Sequence, residues 1–305
     1  MTSYKKKLSQ ATTPKEFLAR LENFFSDEST KAWQAFKPEP TDIIITTFPK
    51  SGTTWMQQIM HCLRSNGDMD FDEISVVVPW LEVAFDMGIN LDACQINPRL
   101  FKSHLTAEEV PRGAKYIIIF RDPGKVLLSY YKFMEGWFFE PDSISLEEFA
   151  EVGFFNTSGF DNYWHHLKTW WVRRDDPNVL LLTYEEMKFD IAAIIKKLAK
   201  FADIRLTPKL LELTKHQSSH DFMRKNSTQF DDHATQEVVD LRCDLPAGGN
   251  ASKIGMSNYS NKALILTPYL QQKLKDNWKV QIQSDLEIKD YIEFKKLVFE
   301  LKGNK

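Results

Sequence analysis

The chain predicts an α/β fold, a doubly wound parallel sheet of P-loop-like type with helices on both faces. One domain over residues 1–305 is expected, with a lid loop toward the C-terminus. Three observations predict it. Short, continuous β-branched runs alternate with segments of helical period, as expected of parallel strands buried on both faces. Lys50, Lys102, His104, Arg121 and Tyr184 all fall where those runs end, the edge at which open α/β sheets hold their ligands. Finally, the run that begins at Ile43 breaks at Pro49 into Lys50-Ser51-Gly52-Thr53-Thr54, and a helical pattern opens at Trp55-Met56.

Each element can be justified in turn. Pro14 to about Phe25 reads as an amphipathic helix with Phe17, Leu18, Leu21, Phe24 and Phe25 on one side. The first strand is Asp42 to Phe48, and its helix runs from about Thr53 to Leu63. Arg99 to Ser103 is the second strand and Lys115 to Phe120 the third. Arg121-Asp122-Pro123 follows, then a helix through Val126, Leu127, Tyr130 and Tyr131. Asp175-Asp176-Pro177-Asn178 sets off the fourth strand, Val179 to Tyr184, and a helix to about Phe201 follows. Asp231 to Asn261 is loop-rich, with Pro246, Gly248, Gly249 and Gly255, and reads as the lid, with a surface excursion as the plainer alternative. Helices from about Pro268 to Ile282 and from about Ile288 to Leu301 close the chain. No internal repeat and no linker divides it.

Composition narrows the function. With 43% hydrophobic and 27% charged residues the chain is an ordinary globular one. A net charge of −3 gives no electrostatic footprint for a nucleic-acid polymer, so any bound anion must be held by a local cluster. Cys62, Cys94 and Cys243 have neither disulfide-framework nor zinc spacing, which fits a reducing compartment. Lys5-Lys6-Lys7 is not followed by an apolar stretch, and no apolar run is long enough to span a bilayer. A cytoplasmic protein with no membrane partner is expected.

The strand–loop–helix at 43–55 is an anion site by construction, because unpaired N–H groups and the positive end of the helix dipole meet there. Lys50 and the hydroxyls of Ser51, Thr53 and Thr54 add donors suited to phosphate or sulfonate oxygens. It is not a Walker A loop, since Lys50 precedes Gly52, and the chain has no G-x-G-x-x-G. His104, just past the second strand in Phe101-Lys102-Ser103-His104-Leu105, is placed to take a proton near neutral pH. His61, His165 and His166 sit in helical patterns and read as packing or surface residues. Zinc at His104 is disfavoured because no cysteine or carboxylate lies at ligand spacing. Arg121 and Ser129 can grip a phosphate together, with an Arg121–Asp122 ion pair as the plainer alternative. The Trp55 face could stack on a purine or simply pack in the core, and Tyr184 could reach a base edge.

These residues together resemble the soluble sulfotransferase family that uses 3′-phosphoadenosine-5′-phosphosulfate (PAPS). Thr47-Phe48-Pro49-Lys50-Ser51-Gly52-Thr53-Thr54-Trp55 is similar to its 5′-phosphosulfate loop, and the segment from Arg121 through Ser129 to Tyr131 is similar to its 3′-phosphate segment. Val78-Pro79-Trp80-Leu81-Glu82, Lys102-Ser103-His104 and Thr183-Tyr184-Glu185-Glu186-Met187-Lys188 match as well. The resemblance runs from about Asp42 to Phe230. Glu135 to Glu140 and Phe230 to His233 look closer to bacterial members.

The resemblance implies a role for each position. Lys50 would bind the 5′-phosphate and the bridging oxygen, and Ser51, Gly52, Thr53 and Thr54 would wrap that phosphate. Arg121 and Ser129 would hold the 3′-phosphate, while Trp55, Tyr184 and Ser218 or Ser219 would surround adenine. His104 would be the general base, with Lys102 supporting charge on the transferred group. No metal is implied, because cationic side chains do the neutralising. Two departures stand out. His220 occupies a position where the family places an aromatic, and the family's Arg-Lys-Gly clamp is replaced by Ser252-Lys253-Ile254-Gly255, which would leave Lys253 and Gly255 on the 3′-phosphate. The animal-type dimerisation signature is missing around Lys262 to Gln271, so the oligomeric state stays open.

The expected activity is sulfuryl transfer to a hydroxyl of a small organic acceptor, with adenosine 3′,5′-bisphosphate as the nucleotide product. A kinase-like phosphotransferase and a catalytically inactive nucleotide-binding module are the alternatives. Trp80, Phe85, Trp137, Phe138 and Phe139 are the aromatics expected to wall the acceptor pocket. Glu82, Asp86 and Glu140 would favour a cationic acceptor if they faced it, with surface exposure as the plainer reading.

Overall fold

The computed structural model describes residues 8–93, 96–156, 162–249 and 264–301. Four parallel strands, β1 (Ile43–Thr46), β2 (Leu100–Ser103), β3 (Lys115–Phe120) and β4 (Val179–Thr183), lie in the order β2-β1-β3-β4. Ile44 of β1 pairs with Phe101 on one side and Tyr116 on the other. The expected α/β class and its strand order of appearance are both present, with boundaries trimmed by one or two residues.

Pleating sends alternate side chains to opposite faces, and each face has its own core. Ile43, Ile45, Ile117, Ile119, Leu180 and Leu182 enter one core, with Met56, Ile59 and Leu63 of the helix Thr53–Ser65 packed over them. Ile44, Tyr116, Ile118, Phe120 and Leu181 enter the other, under Val126, Leu127 and Met134 of the helix Pro123–Trp137. Both faces being covered explains why the strands are apolar without alternation. Asp42 and Arg99 lie just outside the strands and lock β1 to β2 by a buried bidentate pair at 2.8 and 2.6 Å.

Some boundaries differ for local reasons. The N-terminal helix is Pro14–Leu21 and stops short of Phe25, because the N–H groups of Asn23 and Phe24 turn back tightly to the carbonyls of Arg20 and Leu21. The helix after β4 is two helices, Tyr184–Phe189 and Ile191–Phe201, broken at Asp190, whose carboxylate caps the second. Part of the expected loop is the helix His233–Arg242, residues 243–249 follow it as turns, and residues 250–261 of the expected lid, with Lys253 and Gly255, lie outside the described residues. The helix from Pro268 passes at Lys279 into a wider-wound turn that ends at Gln283.

Chain order reverses between β1 and β3, since the connection from β1 leads outward to β2 while β3 lies on the other side. The crevice beyond the carboxyl ends of β1 and β3 is therefore the topological switch point, where such sheets bind ligands.

Candidate active site

The loop after β1 is pinned at its base by the hydroxyls of Thr47 and Thr53, 2.6 Å apart. Two residues in it have left-handed backbones, Lys50 (φ 68) and Gly52 (φ 114). Gly52 caps the helix Thr53–Ser65 and has no side chain to satisfy its first turn, so those N–H groups are presented to the crevice. A Cβ at Gly52 would sit 2.9 Å from Tyr184 Cδ2, so glycine is required there by both conformation and space. The Ser51 hydroxyl is buried with no hydrogen-bond partner among the described residues, and Ser51, unlike its neighbours in the loop, does not line the cavity.

Arg121 leaves the end of β3 and turns to this loop. Its Nη1 donates to the Lys50 carbonyl at 2.8 Å, its guanidinium lies 4.4 Å above the Tyr184 ring, and its Nε–H is buried without a partner among the described residues. The Tyr163 hydroxyl donates to the Arg121 carbonyl at 2.7 Å and fixes the backbone. Asp122 does not pair with Arg121, because its carboxylate caps the next helix by accepting the Lys125 N–H at 2.9 Å.

His104 follows β2 and is tied at two points. Its Nδ1 lies 2.7 Å from the Thr47 carbonyl, which can only accept, so Nδ1 carries the proton and Nε2 the lone pair. Its backbone N–H donates to Glu82 Oε1 at 2.7 Å. The Lys102 ammonium lies 3.8 Å above the Trp80 ring, and the Lys50 ammonium lies 3.8 Å above the Phe133 ring. Two ammonium groups thus stand on aromatic faces beside the imidazole.

All of this opens into one cavity of about 560 Å³. Lys50, Gly52, Thr53, Thr54 and Trp55 line it from the loop, and Lys102, His104, Arg121, Ser129, Tyr184 and Ser218 from the other strand ends and nearby helices. Trp55 meets Tyr184 edge to face at 5.6 Å and donates its indole N–H to the Ser218 carbonyl at 2.8 Å, so its edge is committed to the scaffold. Ser219 is not among the lining residues: its hydroxyl donates to His216 and caps the helix His220–Lys225. Of the expected acceptor aromatics Trp80 and Trp137 do line the cavity, together with Phe24, Phe133 and Met134. Phe85 is instead half exposed, and Phe138 and Phe139 are wholly buried in the core. None of the three carboxylates singled out for a cationic acceptor lines the cavity. Glu82 holds His104, Asp86 pairs with Arg242 at 2.9 Å and accepts from Ser26 at 2.5 Å, and Glu140 is exposed.

Residues 40–254 match the sulfotransferase domain family. The chain belongs to the sulfotransferase family. It is 32% identical to sulfotransferase 1B1 of the dog, over 68% of this chain and 74% of that protein. It is 34% identical to human sulfotransferase 2A1, over 67% of this chain and 73% of that one. In fold it is similar to mouse sulfotransferase SULT7A1 complexed with PAP, with a TM-score of 0.63 at 18% identity over 92% and 95% of the two chains. A retinol dehydratase in complex with retinol and PAP gives 0.67 at 17% identity over 91% and 97%.

Among the cavity residues of this sulfotransferase that sequence reasoning missed, three stand out. Lys188 lies in the last turn of Tyr184–Phe189, inside a matching motif, and its i+4 spacing from Tyr184 was the available signal. Asp232 is a buried carboxylate at the start of a helix that reads as loop, and Phe133 lies one turn beyond Ser129 on the same helix face.

Proposed function

We propose that this sulfotransferase moves a sulfuryl group from PAPS to a hydroxyl of a small, flat, largely apolar organic acceptor. One observation carries the site assignment: Arg121, which lines the cavity with Lys50 and the helix N-terminus at Thr53, has a buried Nε–H with no partner among the described residues. A buried unsatisfied donor costs about 1–3 kcal/mol, so its place in this cradle suits an anionic ligand. Complexes of fold relatives with PAP support the same choice of nucleotide.

When bound, PAPS supplies an activated sulfuryl group on its 5′-phosphate and departs as adenosine 3′,5′-bisphosphate. The protein's part is placement and charge. The loop N–H groups with Ser51, Thr53 and Thr54 grip the 5′-phosphate, and Arg121 with Ser129 takes the 3′-phosphate. Lys50 and Lys102 neutralise charge as it builds on the leaving and transferred oxygens. His104 Nε2 takes the acceptor's hydroxyl proton, a role open to it because Nδ1–H is committed to Thr47. Trp80, Phe133 and Trp137 exclude water and set the acceptor's plane. No helix among the described residues is long and apolar enough to cross a membrane; the cytoplasm is the proposed site of action, from the lack of disulfide or zinc spacing among the cysteines.

The test is thermal. Adenosine 3′,5′-bisphosphate should raise the melting temperature well above the shift given by ATP with magnesium, because a ligand that binds only the folded state stabilises it by mass action. The opposite ranking would favour phosphoryl transfer and sink the reading.

A further inference from the structure

Glu82 lies outside the cavity lining, yet it touches the residue on which proton transfer depends. The segment 79–82 runs beside β2 as a short extra strand: Lys102 N–H donates to the Pro79 carbonyl at 2.7 Å, and Leu81 N–H to the Lys102 carbonyl at 2.9 Å. The next parallel rung would run from His104 N–H to the Leu81 carbonyl. It is not made, because the chain turns away there, with Val83 and Ala84 N–H both folding back to the Trp80 carbonyl. The His104 N–H goes instead to the Glu82 carboxyl at 2.7 Å. A side chain thus replaces a backbone rung at the one residue where β2 delivers the imidazole.

We propose that Glu82 is a positioning residue, whose buried carboxyl extends the ladder by one rung and so fixes where His104 presents Nε2. The inference rests on the reading of His104 as the base. The imidazole is held at two ends: Glu82 clamps its backbone to the 79–82 segment, and the Thr47 carbonyl clamps Nδ1 to the end of β1. Trp80 packs edge to face on the ring at 5.1 Å and closes a third side. With all three in place the ring cannot swing. Without the rung, the backbone of His104 loses its tie to the 79–82 segment.

A hydrogen-bond role is distinct from a charge role. Burial pushes the Glu82 carboxyl up to about 7, against the opposing pull of the His104 N–H, the Trp80 indole and Lys102. Oε1 can accept the His104 N–H whether the carboxyl is protonated or ionised. Glutamine offers the same acceptor at the same place, and methionine fills the same space with none.

The experiment compares Glu82→Gln and Glu82→Met with His104→Ala and the wild type. Histidine-labelled NMR reads the His104 tautomer and hydrogen exchange reads its amide, neither of which needs an acceptor. In the wild type and E82Q the amide is protected and Nδ1 carries the proton. In E82M amide exchange speeds up at least about tenfold and both tautomers appear. Calorimetry with adenosine 3′,5′-bisphosphate gives unchanged affinity in all variants. With 2-naphthol as acceptor, kcat falls about ten- to hundredfold in E82M and stays near wild type in E82Q. An E82M protein with native amide protection and tautomer overturns the inference. So does an E82Q protein as disturbed as E82M, which would make the charge the active feature, and E82Q keeps the test open if E82M does not fold. Normal turnover by H104A removes the base reading and the catalytic part of this inference together. A dead H104A beside a fully active E82M removes only the role of Glu82.

Discussion

Arg121 Nη1 donates to the carbonyl of Lys50 at 2.8 Å across the switch point between β1 and β3. Lys50 needs that support, because a left-handed backbone costs a non-glycine residue about 1–2 kcal/mol, and its φ is 68°. One guanidinium thus stabilises the anion loop, while its buried Nε–H has no partner among the described residues. The acceptor is a main-chain carbonyl, so substitutions of Lys50 keep this contact and only substitutions of Arg121 remove it.

Arg121→Ala should nearly eliminate discrimination between adenosine 3′,5′-bisphosphate and adenosine 5′-monophosphate. One charge-assisted hydrogen bond is worth about 1.5–3 kcal/mol, roughly tenfold to hundredfold in affinity. Arg121→Lys should recover little of it, because a point charge cannot serve the Lys50 carbonyl and a phosphate in one plane. Calorimetry with both nucleotides checks this, and full discrimination by R121A would remove Arg121 from the 3′-phosphate.

Gly52→Ala should damage binding and stability together. The φ of 114° strains alanine, and its Cβ would press on Tyr184 Cδ2 at 2.9 Å. A melting temperature several degrees lower and bisphosphate binding weakened at least about tenfold are expected, from a conformational cost of about 1–2 kcal/mol plus the displaced ring. Adding Tyr184→Ala relieves the contact and leaves the strain, so the double variant should recover stability only partly.

His104→Ala and Lys50→Ala should separate chemistry from binding. Loss of a general base typically costs about two to four orders of magnitude in turnover, and H104A should leave bisphosphate affinity nearly unchanged. K50A should lower both, since its charge meets the 5′-phosphate as well as the leaving oxygen. Single-turnover rates beside nucleotide titrations give the comparison, and equal losses of affinity in the two variants would contradict it.

Acid should weaken the fold through His166 and His61. Burial is the main cause in both, holding His166 down to about 3 and His61 down to about 4 from 6.5. A depressed histidine contributes stability that is present above 6.5 and lost as pH falls toward the folded value, because the unfolded chain takes up the proton first. Glu82 has the opposite sign, since its raised carboxyl adds stability as pH falls from about 7 toward 4.5. His166→Gln should therefore flatten the stability–pH curve between about 6 and 4 by close to one proton, about 1.4 kcal/mol per pH unit. Denaturant titrations at half-unit pH steps measure it, and an unchanged slope would mean that His166 is protonated in the native state.

Much of the fold and of the site was legible because its signals are local. An apolar β-branched run, a proline, a lysine–glycine turn and a helical period are all written within thirteen consecutive residues from Ile43 to Trp55, and the structure folds them as strand, loop and helix N-terminus. The strand ends were legible for the same reason, which is why Lys50, Lys102, His104, Arg121 and Tyr184 come together in one cavity. What tertiary structure decided were the partners. His104 meets Thr47 and Glu82, and Arg121 meets Lys50, across long stretches of chain that no local period encodes. Trp137 lines the cavity while Phe138 and Phe139 beside it vanish into the core, a choice made at the C-terminal end of the helix Pro123–Trp137 by the faces packed against it. Glu82 reads as one more acidic residue near an aromatic. Only the broken ladder beside β2 turns it into a rung, because an acceptor acquires meaning from the donor that geometry places against it.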